Sequence, residues 1–230
     1  MAKVLVACEY SGIVRDAFSK LGHDAWSIDV LPTERPGQHI QDDVLNHLDK
    51  GWDIMVAHPP CTYLCVTGLC WMFHPDDKHL DKRIRRPHPK FPNRKQQQKD
   101  ALEFVKKLMD APIEKICIEN PVSIISSQIR KPNQYIQPYD FGHHECKKTG
   151  LWLKNLPTLA PTSNLKKETY ELPKKIRWKN LWTSPGKDRG KQRSKFFQGF
   201  ADAMAEQWGG NLKEVDNSNI STYGHKAFFK

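Results

Sequence analysis

Asp53-Ile54-Met55-Val56-Ala57-His58-Pro59-Pro60-Cys61 is the stretch on which the reading of this chain turns. Ile54 to Ala57 is a short, unbroken apolar run, the pattern of a strand covered on both faces. Pro59 and Pro60 end it abruptly, because proline offers no amide to a ladder and fixes its own φ. The thiol of Cys61 is therefore expected on a stiff loop just past the carboxyl end of a buried strand. Open α/β sheets bind their ligands at that edge.

Upstream, Lys3 to Cys8 is a second continuous apolar run. It leads through the tight loop Glu9-Tyr10-Ser11-Gly12 into a helical pattern of Ile13, Val14, Ala17, Phe18 and Leu21, stopped by Gly22. Ala25 to Asp29 reads as a further strand that ends in a carboxylate. Strand, loop, helix, strand and acid is the layout of a nucleotide-binding unit, in which the acid meets ribose hydroxyls; an ordinary βαβ unit with a surface Asp has the same outline. No complete GxGxxG is present. His39 to Val44 reads as a third strand end, with Asp42 or Asp43 either capping a short helix near Leu45 to Leu48 or facing an adenine.

Downstream, Thr62 to Arg94 is long, irregular and basic, which in a compact domain marks a functional or disordered loop. Helical spacing returns over Gln96 to Met109. Ile113 to Ile118 is another strand, expected to end in Glu119-Asn120-Pro121, so that a polar group and a proline lock again close a strand. Phe141 to Leu153 reads as a turn and a strand. Phe196, Phe197, Phe200, Ala201, Met204, Ala205 and Trp208 form one broad apolar helix face, with Gly209-Gly210 expected to terminate it and a loosely held tail to follow.

The 230 residues suffice for one domain with a sizeable core, and no run approaches the roughly 18 apolar residues of a membrane span. The chain opens directly on a strand, and the six cysteines form no CxxC pair, so reduced thiols and a cytoplasmic setting are expected. The groups His58, Cys61, Cys65, Cys70 and His143, His144, Cys146 match no standard zinc spacing, so no metal is expected. The formal charge is +10. Residues 74–99 hold nine Lys/Arg against three Asp/Glu, and residues 165–195 eleven against three, so two segments carry the whole positive excess. Tyr170, Trp178, Trp182 and Phe196 interleave with the second. Basic arms with aromatics fit a nucleic acid better than a free nucleotide; two solvated loops would have the same charge. Arg83, Arg85, Arg86, Lys90, Arg94, Lys95, Lys175 and Arg177 are the candidate DNA contacts.

A thiol and a carboxylic acid at neighbouring strand ends can activate a pyrimidine. The thiolate adds to C6 while the acid protonates N3, and C5 becomes a nucleophile. At this point the sequence resembles the DNA cytosine-5 methyltransferases. Pro59-Pro60-Cys61 is similar to their Pro-Cys nucleophile motif, and Glu119-Asn120-Pro121 to their Glu-Asn-Val motif. Cys8 to Gly12 lies where the family has its Phe-x-Gly-x-Gly cofactor loop. FGHHECKKTGLWLKNLP and QGFADAMAEQW resemble short, phage-type stand-alone members. The resemblance spans residues 3–160 and 193–208. It implies S-adenosylmethionine as cofactor, held by Cys8, Glu9, Tyr10, Ser11, Gly12, Asp29, Val30, Asp43, Val44 and Pro59. It implies Cys61 as nucleophile, with Glu119, Pro60 and Asn120 beside it.

The sequence departs from that pattern at defined places. Ala7 stands for the family's Phe, and Glu9 and Ser11 for its glycines. The Gln-x-Arg-x-Arg motif is absent, and Lys147 and Thr149 occupy its place in order. Residues 154–192 leave little room for a target-recognition domain, which implies weak sequence specificity or a very short site.

The expected fold is thus α/β: a Rossmann-like S-adenosylmethionine-dependent methyltransferase with a mostly parallel sheet, helices on both faces and a minimal target-recognition domain. Its expected parts are a catalytic core over 1–153 with a basic loop at 62–98, a small DNA-contacting segment at 154–192, a C-terminal helix at 193–210 and a tail at 211–230. The expected partner is DNA, with the cytosine flipped out of the duplex, bound by a monomer. The alternatives are the same chemistry on RNA or a free pyrimidine nucleotide, and a DNA-binding relic such as an antirestriction protein, which the altered cofactor loop would suit.

Overall fold

The computed structural model describes residues 1–179, 193 and 196–218, with 211–218 as backbone only. Trp182, in the second basic segment, lies outside the described residues. The centre is a seven-stranded sheet: β1 (Lys3–Ala7), β2 (Asp24–Asp29), β3 (His39–Gln41), β4 (Ile54–Ala57), β5 (Lys115–Pro121), β6 (Gln134–Ile136) and β7 (Thr149–Lys154). Their spatial order is β3-β2-β1-β4-β5-β7-β6. The first five are parallel to one another, and β7 runs antiparallel between β5 and β6.

Alternation along the strands sends side chains to two cores. Val4, Val6, Ile54, Val56, Cys117, Leu151 and Leu153 face one side. There they meet helices α1 (Ile13–Lys20) and, numbering the helices in order, α6 (Gln198–Ser218), through Val14, Phe18, Phe200, Met204 and Trp208. Leu5, Ala7, Met55, Ala57, Ile116, Ile118 and Trp152 face the other side, under Val105 and Leu108 of α2 (Arg94–Met109). A mostly parallel sheet with helices on both faces is the Rossmann-like class expected. The continuous apolar runs of β1 and β4 follow from this double cover, since every residue of β4 is buried.

As expected, β5 ends in Glu119-Asn120-Pro121; it outruns β4 and continues against β7, pairing Glu119 with Leu151 and Asn120 with Gly150. Two expectations need correction. Gly209-Gly210 does not end the last helix, which runs on to Ser218 and crosses the boundary expected at 210. Gly209 instead allows close packing: a Cβ there would lie 2.8 Å from Nε2 of His23. The helix expected near Leu45 to Leu48 is a 3-10 turn, Val44–His47.

The segment after Cys61 is ordered by its own contacts. Asp77, almost fully buried, accepts hydrogen bonds from the Arg86 amide (2.8 Å) and guanidinium (2.6 Å from Nη2). Trp71, His88 and Phe91 form an aromatic group, and Arg94 donates to the Thr62 carbonyl at 2.8 Å beneath the Tyr63 ring. Between β7 and α6 lie the short helices α4 (Lys166–Glu171) and α5 (Lys174–Arg177); α3 (Ile125–Gln128) follows β5. No helix among the described residues is long and apolar enough to cross a membrane.

Candidate active site

Strand order reverses between β1 and β4, and in open α/β sheets the crevice at such a switch point, beyond the carboxyl strand ends, takes the ligand. Here a cleft is lined by Cys8, Glu9, Tyr10 and Ser11 from the loop after β1, by His58 after β4, by Glu119 on β5 and by Phe196 just before α6.

On the β1 side, Cys8 takes a left-handed backbone at φ 59°, and its amide donates to the Ile28 carbonyl. Glu9 is buried, and its carboxylate caps α1. It accepts from the Val14 amide (2.8 Å), the Arg15 amide (3.2 Å) and the Ser11 hydroxyl (3.0 Å). This explains the acid where the resembled family has glycine: Gly12, the residue before the helix, brings no side-chain cap of its own. It also puts a negative charge on the helix N-terminus where a dinucleotide would place its pyrophosphate. The loop therefore suits a cofactor without phosphates.

At the end of β2, Asp29 accepts from the Leu31 amide at 2.9 Å, and burial is the main cause that raises its carboxyl above the usual range. Val30 beside it is 67% exposed, an apolar surface at the rim. The strap that follows is held by Arg15, which is fully buried and donates to Ser27 Oγ, Thr33 Oγ1 and the Arg35 and Pro36 carbonyls. Asp43 caps the 3-10 turn through the Leu45 amide at 3.0 Å, which is the capping alternative of the sequence, and Val44 is buried in the core. Asp29 and Asp43 both lie within electrostatic reach of Cys8, which lines the cleft at its β1 end. That end offers a carboxylate for a diol and apolar surface for a ring, which fits an adenosyl group.

On the β4 side, the parallel register sets Ala57 opposite Ile118, so the next residues, His58 and Glu119, become neighbours. Nδ1 of His58 lies 3.2 Å from Oε2 of Glu119. One residue further, the Asn120 amide donates to the Pro59 carbonyl at 2.9 Å and ties the proline corner to β5. Pro60 is exposed at that corner. Cys61 is partly buried, and burial is the first cause that pushes its thiol up; Cys65 and Glu119 add to this, while Lys147 and Arg193 pull it down. Glu119, Lys147 and Arg193 thus lie within electrostatic reach of Cys61. Nζ of Lys147 donates to the Arg193 carbonyl at 3.2 Å and stands over the Phe197 ring. Thr149 is fully buried, and its hydroxyl donates to the Lys147 carbonyl at 3.1 Å.

Several candidate DNA-contacting cations are engaged within the protein. Arg86 pairs with Asp77, Arg83 with Asp81 at 3.0 Å, and Arg85 donates to the Leu80 and Lys78 carbonyls. Arg94 is buried, and Arg177 lies over the Tyr170 ring. Lys90, Lys95 and Lys175 are exposed. No group of three or more His, Cys, Asp or Glu side chains that could hold a metal gathers among the described residues.

Sequence reasoning missed His58, Arg193 and Phe196 as members of the site. His58 had a signal, since it directly precedes the proline pair. Arg193 and Phe196 had none, because their arrival depends on how the chain returns to the core after β7.

No family model matches this chain, and no curated protein matches it. Among solved structures, one similar chain is a prophage-encoded E. coli protein proposed to be a DNA modification methyltransferase. It is 13% identical, with a TM-score of 0.43 over 75% of this chain and 56% of the other. This chain therefore spans little more than half the length of that protein.

Proposed function

We propose that this chain is an S-adenosylmethionine-dependent DNA methyltransferase that acts on C5 of cytosine. What supports the reading is the β4–β5 register, which ties the Pro59-Pro60-Cys61 corner to Asn120 beside Glu119, together with the electrostatic influence of Glu119 and Lys147 on the thiol. In this reading Asp29 holds the ribose diol, and Val30 and Asp43 border the adenine. When bound, S-adenosylmethionine supplies an electrophilic methyl group at its sulfonium.

The chain's own residues do the rest. Sγ of Cys61 bonds to C6 of the flipped cytosine as Glu119 delivers a proton to N3, and the ring's electron pair becomes available at C5. Once C5 carries the methyl group, its hydrogen leaves as a proton, the C6–S bond breaks and N3 returns its proton to Glu119. Lys147 and Arg193 favour the thiolate, opposing the burial that disfavours it. The altered cofactor loop, which would have suited a relic, has a structural reason in the Glu9 cap.

The test is intact-mass spectrometry of the protein mixed with S-adenosylmethionine and oligonucleotides carrying 5-fluorocytosine, single- and double-stranded, beside Cys61→Ala. A methylated covalent adduct in the wild type and none in the variant is expected, because fluorine at C5 blocks the final elimination. No wild-type adduct on any oligonucleotide would overturn the cytosine-C5 reading.

A further inference from the structure

The imidazole of His58 is not used by the chemistry described so far, yet it is the group in closest polar contact with the proposed acid. Three observations define it. Nδ1 lies 3.2 Å from Oε2 of Glu119, both side chains being close to nine-tenths buried. The ring packs on Phe196 at 4.5 Å between centroids, and Phe196 packs in turn on Phe200 of α6. Nε2 is buried and has no hydrogen-bond partner.

We propose that His58 is a positioning residue for Glu119, acting through an Nδ1–H that donates to Oε2; this rests on the cytosine-C5 reading. The unpartnered, buried Nε2 favours the neutral tautomer with its proton on Nδ1, since a proton on Nε2 would leave a buried donor unsatisfied. A donor held on Oε2 has a chemical consequence. When Glu119 is in its acid form, its proton must sit on Oε1, the oxygen left to meet a pyrimidine nitrogen. The proton delivered to N3 leaves from Oε1 and returns there, and His58 keeps its own proton throughout. Phe196 restrains the ring, so α6 contributes indirectly to the aim of the acid.

Two measurements test this. Nitrogen-15 NMR of the histidine side chains in the wild-type protein alone, with His58 assigned by its loss in His58→Asn, should show the Nδ1–H tautomer. An Nε2–H tautomer would overturn the proposal. Single-turnover adduct formation on 5-fluorocytosine DNA, measured at saturating DNA and S-adenosylmethionine, should slow about 10- to 100-fold in His58→Ala. His58→Asn, whose amide places a donor close to the Nδ1 position, should restore most of the rate. An unchanged rate in His58→Ala, or no rescue by a folded His58→Asn that still binds cofactor, would refute the positioning role. If the wild type forms no adduct, the cytosine reading fails and the catalytic role with it, while the tautomer still decides whether His58 holds Glu119.

Discussion

At the scale of single residues, the site depends on opposed electrostatic influences on one sulfur. Burial raises the Cys61 thiol, and Glu119 nearby adds to the effect, so the resting side chain is protonated at neutral pH. Like Arg193, Lys147 works against this. Replacing it with methionine removes the charge and keeps most of the volume. Lys147→Met should therefore slow adduct formation at pH 7.5 by roughly 10-fold and move the rising limb of the pH–rate profile, which the thiol sets, toward higher pH. Rates measured from pH 6.5 to 9.5 check this; a profile that drops uniformly without moving would mean that Lys147 acts on DNA binding instead. Asp77 sets a second residue-scale expectation. Its carboxyl is held well below the usual carboxylate range, first by the Arg86 side chain and then by the Arg86 amide. A depressed carboxyl contributes stability above its unfolded value, near pH ~3.9, and loses it as pH falls through the folded value. The clip is therefore intact at neutral pH. Asp77→Asn should expose residues 74–90 to limited proteolysis and slow adduct formation, with the melting temperature of the core little changed.

At the scale of elements, the last helix ties the two ends of the chain together. Gly209 and Gly210 are adjacent in α6 but differ in surroundings. A Cβ at Gly209 would meet His23 at 2.8 Å, whereas one at Gly210 meets nothing within 4 Å. Alanine is the better helix former by about 1 kcal/mol where space allows. Gly210→Ala should therefore stabilise the protein by about 0.5–1 kcal/mol. Gly209→Ala should destabilise it by about 1–2 kcal/mol, the cost of moving a buried ring outweighing the helix gain. Urea unfolding of both variants checks the opposite signs. Equal, stabilising effects would mean that His23 moves aside freely.

For the molecule as a whole, burial reaches a thiol within the sheet, Cys117, and two on the loops beyond its strand ends, Cys8 and Cys61. The Cys8, Cys61 and Cys117 thiols are all raised, burial being the largest cause for each. A raised thiol contributes stability below its unfolded pKa, near ~8.5, and loses it as pH rises toward the folded value, because only the unfolded chain releases the proton. Global stability under reducing conditions should therefore fall between pH 8 and 10, and Cys117→Ala should flatten part of that slope. Urea midpoints across the range measure it. A pH-independent midpoint would contradict the burial of these thiols.

The sequence by itself determined the strand that precedes Cys61, the loop after β1, the acid at Asp29 and the helix faces of α1, α2 and α6. Each is a local pattern: an apolar run, a 3.6-residue period, or a proline stop. Glu119 and Asn120 were legible as a strand end, but not the antiparallel pairing with β7 that carries β5 past β4. Gly209-Gly210 read as a stop because intrinsic propensity says nothing about a ring packed beside the helix. Tertiary structure alone decided that His58 meets Glu119, 61 residues away, through the β4–β5 register. It also decided that several arginines of the basic loop are engaged with their own loop, and that Arg193 and Phe196 return to the site. Such pairings join residues far apart in the chain, and they are set by which faces the whole sheet must bury, which no local window of sequence contains.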